Sequence, residues 1–333
     1  MSPPHARPRP ISDAARAAAE ERISHLQHGE GAIGRLGELA VWWSGVRGVL
    51  TPPQRPRLVV FAADHGLRNA GVTGRGPDDG PRLAAELAAG RAAAALVAKR
   101  LGVEVEVVDV GLCGERIPGI RDRRVRDGTG DLRLESAMSR AEAEAAILAG
   151  QAVAREATAA GVDLLVAGEL GVGGSTAAAA VLSALAATPG KLTAGRGKGL
   201  DDRRVGQKVR IIDEALARTR PDRHDAIGVL AAVGGLELGA ICGLCLEAAA
   251  AGVPVLLDGL GSTAGGLLAS TLEPGVGAYL WIPQQSSENA HWAACRLLGQ
   301  EPPTELKIVQ GDGLGALLGV PLLRAATALL GSE

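Results

Sequence analysis

The chain reads as a parallel α/β protein, a Rossmann-like large domain carrying a smaller helical lobe built from its N-terminal part. Short runs rich in β-branched residues and leucine alternate with longer alanine-rich stretches at helical spacing, the order expected when parallel strands are joined through helices. Polar residues gather where the strand-like runs end: Asp64-His65-Gly66, Glu169 within a glycine-rich turn, and Asp258-Gly259. Open sheets of this kind hold their ligands at the carboxyl edge of the strands.

The first twelve residues, with their four prolines, lack the apolar run of a signal peptide and are expected to form a mobile arm. Residues 13–47 alternate alanine, leucine and isoleucine with charge and carry Trp42 and Trp43, so helices packed as a small lobe are expected over 13–55. The large domain is expected over 56–330. Its strands fall at 57–63, 104–110, 163–167, 253–257 and 279–282. After the first comes a Gly/Pro/Asp loop, 71–81, then one alanine-rich helix to about 101. Residues 113–135, rich in Arg, Asp and Gly, read as surface loop. Ser139 and Glu142 stand at capping-box spacing and open a helix to about 160.

Composition narrows the partners. The 333 residues carry a formal charge of −2 and only 2% aromatics, which supplies neither the field nor the stacking platforms that nucleic-acid binding uses. The most apolar stretch, 238–257, is interrupted by Glu247 and Pro254 and predicts a buried helix and strand instead of a membrane span. A cytoplasmic location is expected. Cys242 and Cys245 have C-x-x-C spacing but sit in a helical pattern with no second Cys/His pair near, so they read as buried small hydrophobes and not as a metal site.

The segment from Asp163 to Thr176 carries the most chemistry. A buried strand breaks at Gly168 into a turn holding Glu169, Gly171, Gly173, Gly174, Ser175 and Thr176, and a helix starts at about Thr176. A glycine turn before a helix aims free backbone N–H groups and the positive helix end at an anion. The turn therefore points to phosphate, and Glu169 to a group beside it. A plain packing turn would use the same glycines. Gly197 lies in a second glycine cluster, and Lys208 follows on a helix where it reads, on its own, as a solvated lysine.

Taken together, these segments resemble the nicotinate-nucleotide–dimethylbenzimidazole phosphoribosyltransferases. The resemblance is collinear from about Gly31 to Leu330. It rests on Gly34-Arg-Leu36, Ala62-Ala-Asp-His-Gly66, Gly128-Thr-Gly130, Gly168-Glu-Leu-Gly-Val-Gly173, Gly195-Arg-Gly197 with Leu200-Asp-Asp202, Gly234-Gly235 with Glu237, Asp258-Gly259 and Pro321-Leu-Leu-Arg-Ala325. It implies transfer of the phosphoribosyl group of nicotinate mononucleotide to 5,6-dimethylbenzimidazole, giving α-ribazole 5′-phosphate and nicotinate without metal or cofactor, in a homodimer. It further implies that Gly171, Gly173, Gly174, Ser175, Thr176, Gly197 and Lys208 hold the donor and its phosphate. Glu169 would bond ribose hydroxyls. Asp64, His65, Thr73, Arg82, Ser286 and Glu288 would form the acceptor side.

Several positions depart from the family's pattern. Its general base is a glutamate between glycines near the C-terminus, and here that position is Asp312. Aspartate reaches about 1.5 Å less. A Gly-Asp-Gly surface turn would leave the same residues in place. The family's Ser, Tyr-Pro and Gln after Asp-His-Gly correspond to the run from Thr73 to Arg82, with Arg82 at the glutamine. Its Asn-Thr-Thr is Gly174-Ser-Thr176, its His-Arg-Ser-x-Glu-Pro-x-His is Gln284 to His291, and an N-terminal Lys-Pro is His28-Gly29. Because the changes cluster on the acceptor side, two further readings share the scaffold: the same donor chemistry with another base or a phenol, and a non-catalytic nucleotide-binding paralogue.

Overall fold

The computed structural model describes residues 7–26, 32–197 and 199–331. His28-Gly29 falls outside the described residues. Six strands form one sheet: β1 (Pro56–Ala63), β2 (Glu104–Gly111), β3 (Arg121–Asp122), β4 (Leu164–Leu170), β5 (Val255–Leu257) and β6 (Leu280–Trp281). All pair in parallel, in the order β3-β2-β1-β4-β5-β6. The chain leaves β1 toward β2 on one side and leaves β4 toward β5 on the other. The crevice of such a sheet opens where its winding reverses, between β1 and β4.

Alternation along the central strands divides the core. Val59, Phe61 and Ala63 face one side with Leu165 and Ala167; Leu58, Val60 and Ala62 face the other with Leu164 and Val166. The first face is covered by α5 (Arg140–Ala159), α6 (Gly174–Ala186), α8 (Asp202–Thr219), α9 (Ala226–Val233), α10 (Leu236–Ala251) and α11 (Gly259–Leu272), with the short α7 (Gly190–Thr193) beside α6. The second is covered by α2 (Arg35–Arg47), α3 (Asp79–Ala88), α4 (Ala93–Leu101), α13 (Leu314–Leu317) and α14 (Gly319–Ala328). Helices α1 (Asp13–Ser24) and α12 (Asn289–Leu297) complete the set.

At the N-terminal end, Trp42 and Trp43 seat α2: their indole N–H groups donate to the carbonyls of Ala278 (2.9 Å) and Thr51 (2.8 Å). Of the segment read as an arm, residues 7–12 are described and lie on the core. The Arg9 N–H donates to the Ala249 carbonyl (2.9 Å), and the Tyr279 hydroxyl donates to the Arg9 carbonyl (2.6 Å).

Three local expectations change. The single alanine-rich helix before 101 is two, α3 and α4, because the chain turns through Gly90 at φ +75. The expected loop at 113–135 contains β3, whose Arg121 guanidinium pairs with Glu106 of β2 (2.6 Å). Strand β4 also runs on through Leu170, so Gly168 and Glu169 belong to the sheet and the turn begins at Gly171. Gly168 is needed for close approach: a Cβ there would lie 2.7 Å from the backbone of Asp312 and Gly313. The Ser139–Glu142 capping box forms as expected, and Cys242 and Cys245 are buried in α10. Among the described residues no helix is long and apolar enough to cross a membrane, and no three metal-ligating side chains converge.

Candidate active site

A cavity of about 230 Å³ opens at the carboxyl ends of β1, β4 and β5, at the reversal point of the sheet. One corner is built by the start of α6. Gly173 turns the chain at φ +103, a conformation that disfavours any side chain, and α6 begins at Gly174 with no side-chain cap. The helix start, with Gly173, Gly174 and Ser175, therefore lines the cavity. Beneath it Lys208 is fully buried, its Nζ donating to Ser175 Oγ (3.1 Å) and to the Gly195 carbonyl (3.3 Å). Burial pushes the Lys208 pKa down, partly opposed by the Glu288 carboxylate. Gly197 closes the corner, bare enough that a Cβ would lie 3.5 Å from Ser175 Oγ and 3.8 Å from Glu288 Oε1. A helix N-terminus above a buried lysine is an arrangement that favours an anion, although the Glu288 carboxylate also stands at this corner. Lys208 is thus no solvated lysine.

Among the four described acidic residues that line the cavity, Glu169 and Asp312 lie side by side in its floor segments at β4 and before α13. Glu169, at the end of β4, is packed between Gly261 and Gly311, where a Cβ would approach it to 2.5 and 2.4 Å. Burial, then repulsion from Glu237, raises its pKa to about 7 against the pull of His65 and Arg75. Asp312 is largely buried, its Oδ1 has no hydrogen-bond partner among the described residues, and burial raises its pKa. A buried carboxylate oxygen left unpartnered points to a ligand.

Asp312 is held in place by Asp258, at the end of β5. Asp258 Oδ2 accepts from the Gly313 N–H (2.8 Å) and Oδ1 from the Ala316 N–H (3.1 Å), and burial together with Asp312 pushes its pKa well up. Ser286 and Glu288 reach the cavity on a loop fixed by His291. His291 Nδ1 accepts the Ser286 N–H (2.9 Å), and Nε2 meets the Thr263 hydroxyl (3.1 Å), which donates to the Gly259 carbonyl (2.7 Å). Burial lowers the His291 pKa to about 4, so the imidazole is neutral and accepts at Nδ1. Glu288 Oε2 also lacks a partner among the described residues.

The residues expected on the acceptor side divide. Thr73, Ser286 and Glu288 line the cavity. Asp64 and His65 lie buried behind it: Asp64 accepts from the N–H groups of Val172 (3.2 Å) and Cys113 (3.1 Å), and His65 Nε2 pairs with Glu237 Oε1 (3.1 Å). Asp64 thus ties two loops together. Thr176 is buried at the base of α6 and is not on the cavity wall. Arg82 stands outside, its side chain 56% exposed and paired with Asp79 and Glu86. The cation that enters from that run is Arg75, whose side chain lines the cavity, interacts with Glu169 and Asp312, and has its pKa lowered by burial. Which arginine of the run turns inward is decided by the 3.2 Å hydrogen bond from the Arg75 N–H to Thr73 Oγ1 and by the surface pairs that hold Arg82, neither of which spacing reveals.

A phosphoribosyltransferase family model matches residues 9–332. The chain is 40% identical to a nicotinate-nucleotide–dimethylbenzimidazole phosphoribosyltransferase of Roseiflexus sp. (strain RS-1), covering 96% of this chain and 92% of that one. It is 38% identical to the protein of the same name from Mycobacterium bovis, over 96% and 89%. The crystal structure of the enzyme of that name from Thermus thermophilus superposes with a TM-score of 0.90 at 38% identity, over 97% of both chains.

Proposed function

Since the chain belongs to the nicotinate-nucleotide–dimethylbenzimidazole phosphoribosyltransferase family, we propose that its cleft moves the phosphoribosyl group of nicotinate mononucleotide onto a nitrogen of 5,6-dimethylbenzimidazole. The observation that carries this reading is a corner with a buried lysine and a helix N-terminus on the same small cavity as Glu169 and Asp312. The 5′-phosphate sits at the start of α6 over Lys208 and Ser175. Glu169 holds the ribose hydroxyls and faces the positive charge that grows on the anomeric carbon. The azole nitrogen attacks that carbon as its bond to the pyridinium nitrogen breaks, and the bonding pair leaves with nicotinate. The attack inverts the anomeric centre. The azole N–H proton passes to Asp312, whose unpartnered Oδ1 is the accepting atom. Fixing both substrates in line supplies much of the acceleration, because no further entropy is lost assembling them in the transition state.

Thr73, Ser286 and Glu288 shape the acceptor side on this reading, with Arg75 as its inward-facing cation. The enzyme acts in the cytoplasm as a homodimer, with residues 13–55 as a small lobe on the transferase domain of 56–330. Light scattering of the purified protein measures the assembly. The reaction is tested by mass-resolved assay with both substrates. Nicotinate and ribotide in equal amounts are expected; nicotinate without ribotide, or neither product, overturns the acceptor assignment or the reaction.

A further inference from the structure

Behind the cavity wall lies a buried acid–base cluster that the reaction above leaves unused. His65 follows the end of β1 and is fully buried; Glu237, in the first turn of α10, is fully buried against it at 3.1 Å. Both converge with Glu169 on Gly174. A Cβ placed on that glycine would stand 3.3 Å from Glu169 Oε2, 3.5 Å from His65 Nε2 and 3.7 Å from Glu237 Oε1. Any side chain at 174 would crowd the gap between cleft carboxylate and buried pair. Glu237 Oε2 has no hydrogen-bond partner among the described residues, so its charge is engaged by His65 alone on one oxygen.

We propose that His65 and Glu237 form a positioning couple for Glu169. Glu237 keeps the imidazole protonated, and the imidazolium holds Glu169 in the ionised state that faces the donor ribose. An ion pair so deeply buried adds little net stability, because desolvation offsets most of its attraction. Burial is the largest single influence and opposes charge on His65, but the charge and hydrogen bond of Glu237 together with Asp64 and Glu169 outweigh it, and the His65 pKa is raised. The other titratable groups around Glu169 are Arg75, which favours its ionised form, Asp312, which opposes it, and the buried Asp258, which also interacts with it. From the α6 turn the uncharged Gly173 and Gly174 lie against this face.

The couple serves the reaction proposed above, but its test does not depend on turnover. The imidazole nitrogens of His65 are followed by ¹⁵N NMR against pH in the wild type, Glu169→Gln and Glu237→Gln. Removing a neighbouring negative charge lowers a histidine pKa, so Glu237→Gln is expected to lower the His65 midpoint by about one unit or more, and Glu169→Gln by a few tenths. An unchanged midpoint in Glu169→Gln, or a wild-type His65 already neutral at pH 7, overturns the couple even if the enzyme is fully active. In kinetics, His65→Gln is expected to lower kcat at least about 10-fold while changing KM for nicotinate mononucleotide much less, since the Lys208–Ser175 contact that holds the phosphate does not involve His65. A rise in KM alone would contradict it. Should His65→Gln not fold, the Glu169→Gln titration still decides, because that substitution lies on the cavity wall.

Discussion

The backbone N–H of Glu169 donates to the carbonyl of Gly311 at 2.6 Å, so the strand end bearing one cleft carboxylate is bonded to the residue just before the other, Asp312. The two acids come from chain positions far apart, yet their relative placement is fixed by main chain. Gly168 and Gly311 make that contact possible by carrying no side chains where the two segments meet.

This fixed placement makes Asp312 testable as the base. Asp312→Asn keeps the shape and removes the proton acceptor. Turnover is expected to fall by about 10²- to 10⁴-fold, the range of general-base contributions, while nicotinate mononucleotide still binds. Asp312→Glu adds one methylene to a side chain only 8% exposed, and a displacement of about 1 Å at a reacting group changes rate by up to about 100-fold. Stopped-flow turnover and equilibrium binding of the donor separate the two effects. Unchanged kcat in both variants would remove Asp312 from the mechanism.

Lys208 gives a prediction with two signs. Lys208→Met deletes the buried ammonium that faces Ser175. A charge-assisted hydrogen bond contributes about 1.5–3 kcal/mol, so KM for nicotinate mononucleotide is expected to rise roughly 10- to 100-fold. Burial depresses the Lys208 pKa below the ordinary 10.5, so the cost of keeping it charged develops as pH falls from that value and is present at neutral pH. The free variant should therefore melt at the same temperature as wild type or above it. A KM unchanged beside a lowered melting temperature would make Lys208 a purely structural residue.

How far these assignments were readable from sequence depends on which way a strand-end residue turns. Gly171, Gly173, Gly174 and Ser175 sit where their order placed them because the strand-turn-helix connection is local, whereas Glu169 falls on the strand end and not in the turn. Asp64, Asp258 and Asp312 look alike in sequence, each an acid beside glycine or histidine near a strand end or turn. Only the structure separates them: Asp64 and Asp258 commit their oxygens to backbone N–H groups of distant loops, and Asp312 keeps one oxygen free. Arg75 and Arg82 pose the same problem, since both lie in one polar run and pairing with Asp79 and Glu86 keeps only the latter outside. Strand β3 was hidden because two residues, Arg121 and Asp122, carry no periodicity, and its pairing depends on β2.

Ser139→Ala supplies the control remote from the cleft. The Ser139 side chain accepts the Glu142 N–H at 3.2 Å, and Glu142 in turn accepts the Ser139 N–H at 2.8 Å. Losing such a cap costs about 1 kcal/mol of stability. Chemical denaturation should report that loss with kcat and both KM values unchanged. Altered kinetics would mean that α5 communicates with the cavity.

Glu169 joins stability to activity through pH. Its pKa of about 7 lies above the ordinary glutamate value of 4.5, so the folded protein binds this proton more tightly than the unfolded chain does. The stability this carboxyl contributes is therefore complete below about pH 4.5 and is lost as pH rises through 7. Glu169→Gln cannot ionise and escapes that loss. At pH 8 it should be more stable than wild type by roughly 1–3 kcal/mol, a range that allows for the part of the side chain open to the cavity. At pH 5, just above the unfolded value of 4.5, the difference should shrink to roughly a quarter of that. Activity follows the opposite course, because only the ionised carboxylate can face a developing positive charge: wild-type kcat should fall below about pH 7, and the variant should be slow at every pH. Denaturation curves and rate profiles on the two proteins at pH 5 and 8 measure both trends. Equal stability at pH 8, with a wild-type rate flat from pH 5 to 8, would show that Glu169 titrates as an ordinary surface acid and holds no charge for the reaction.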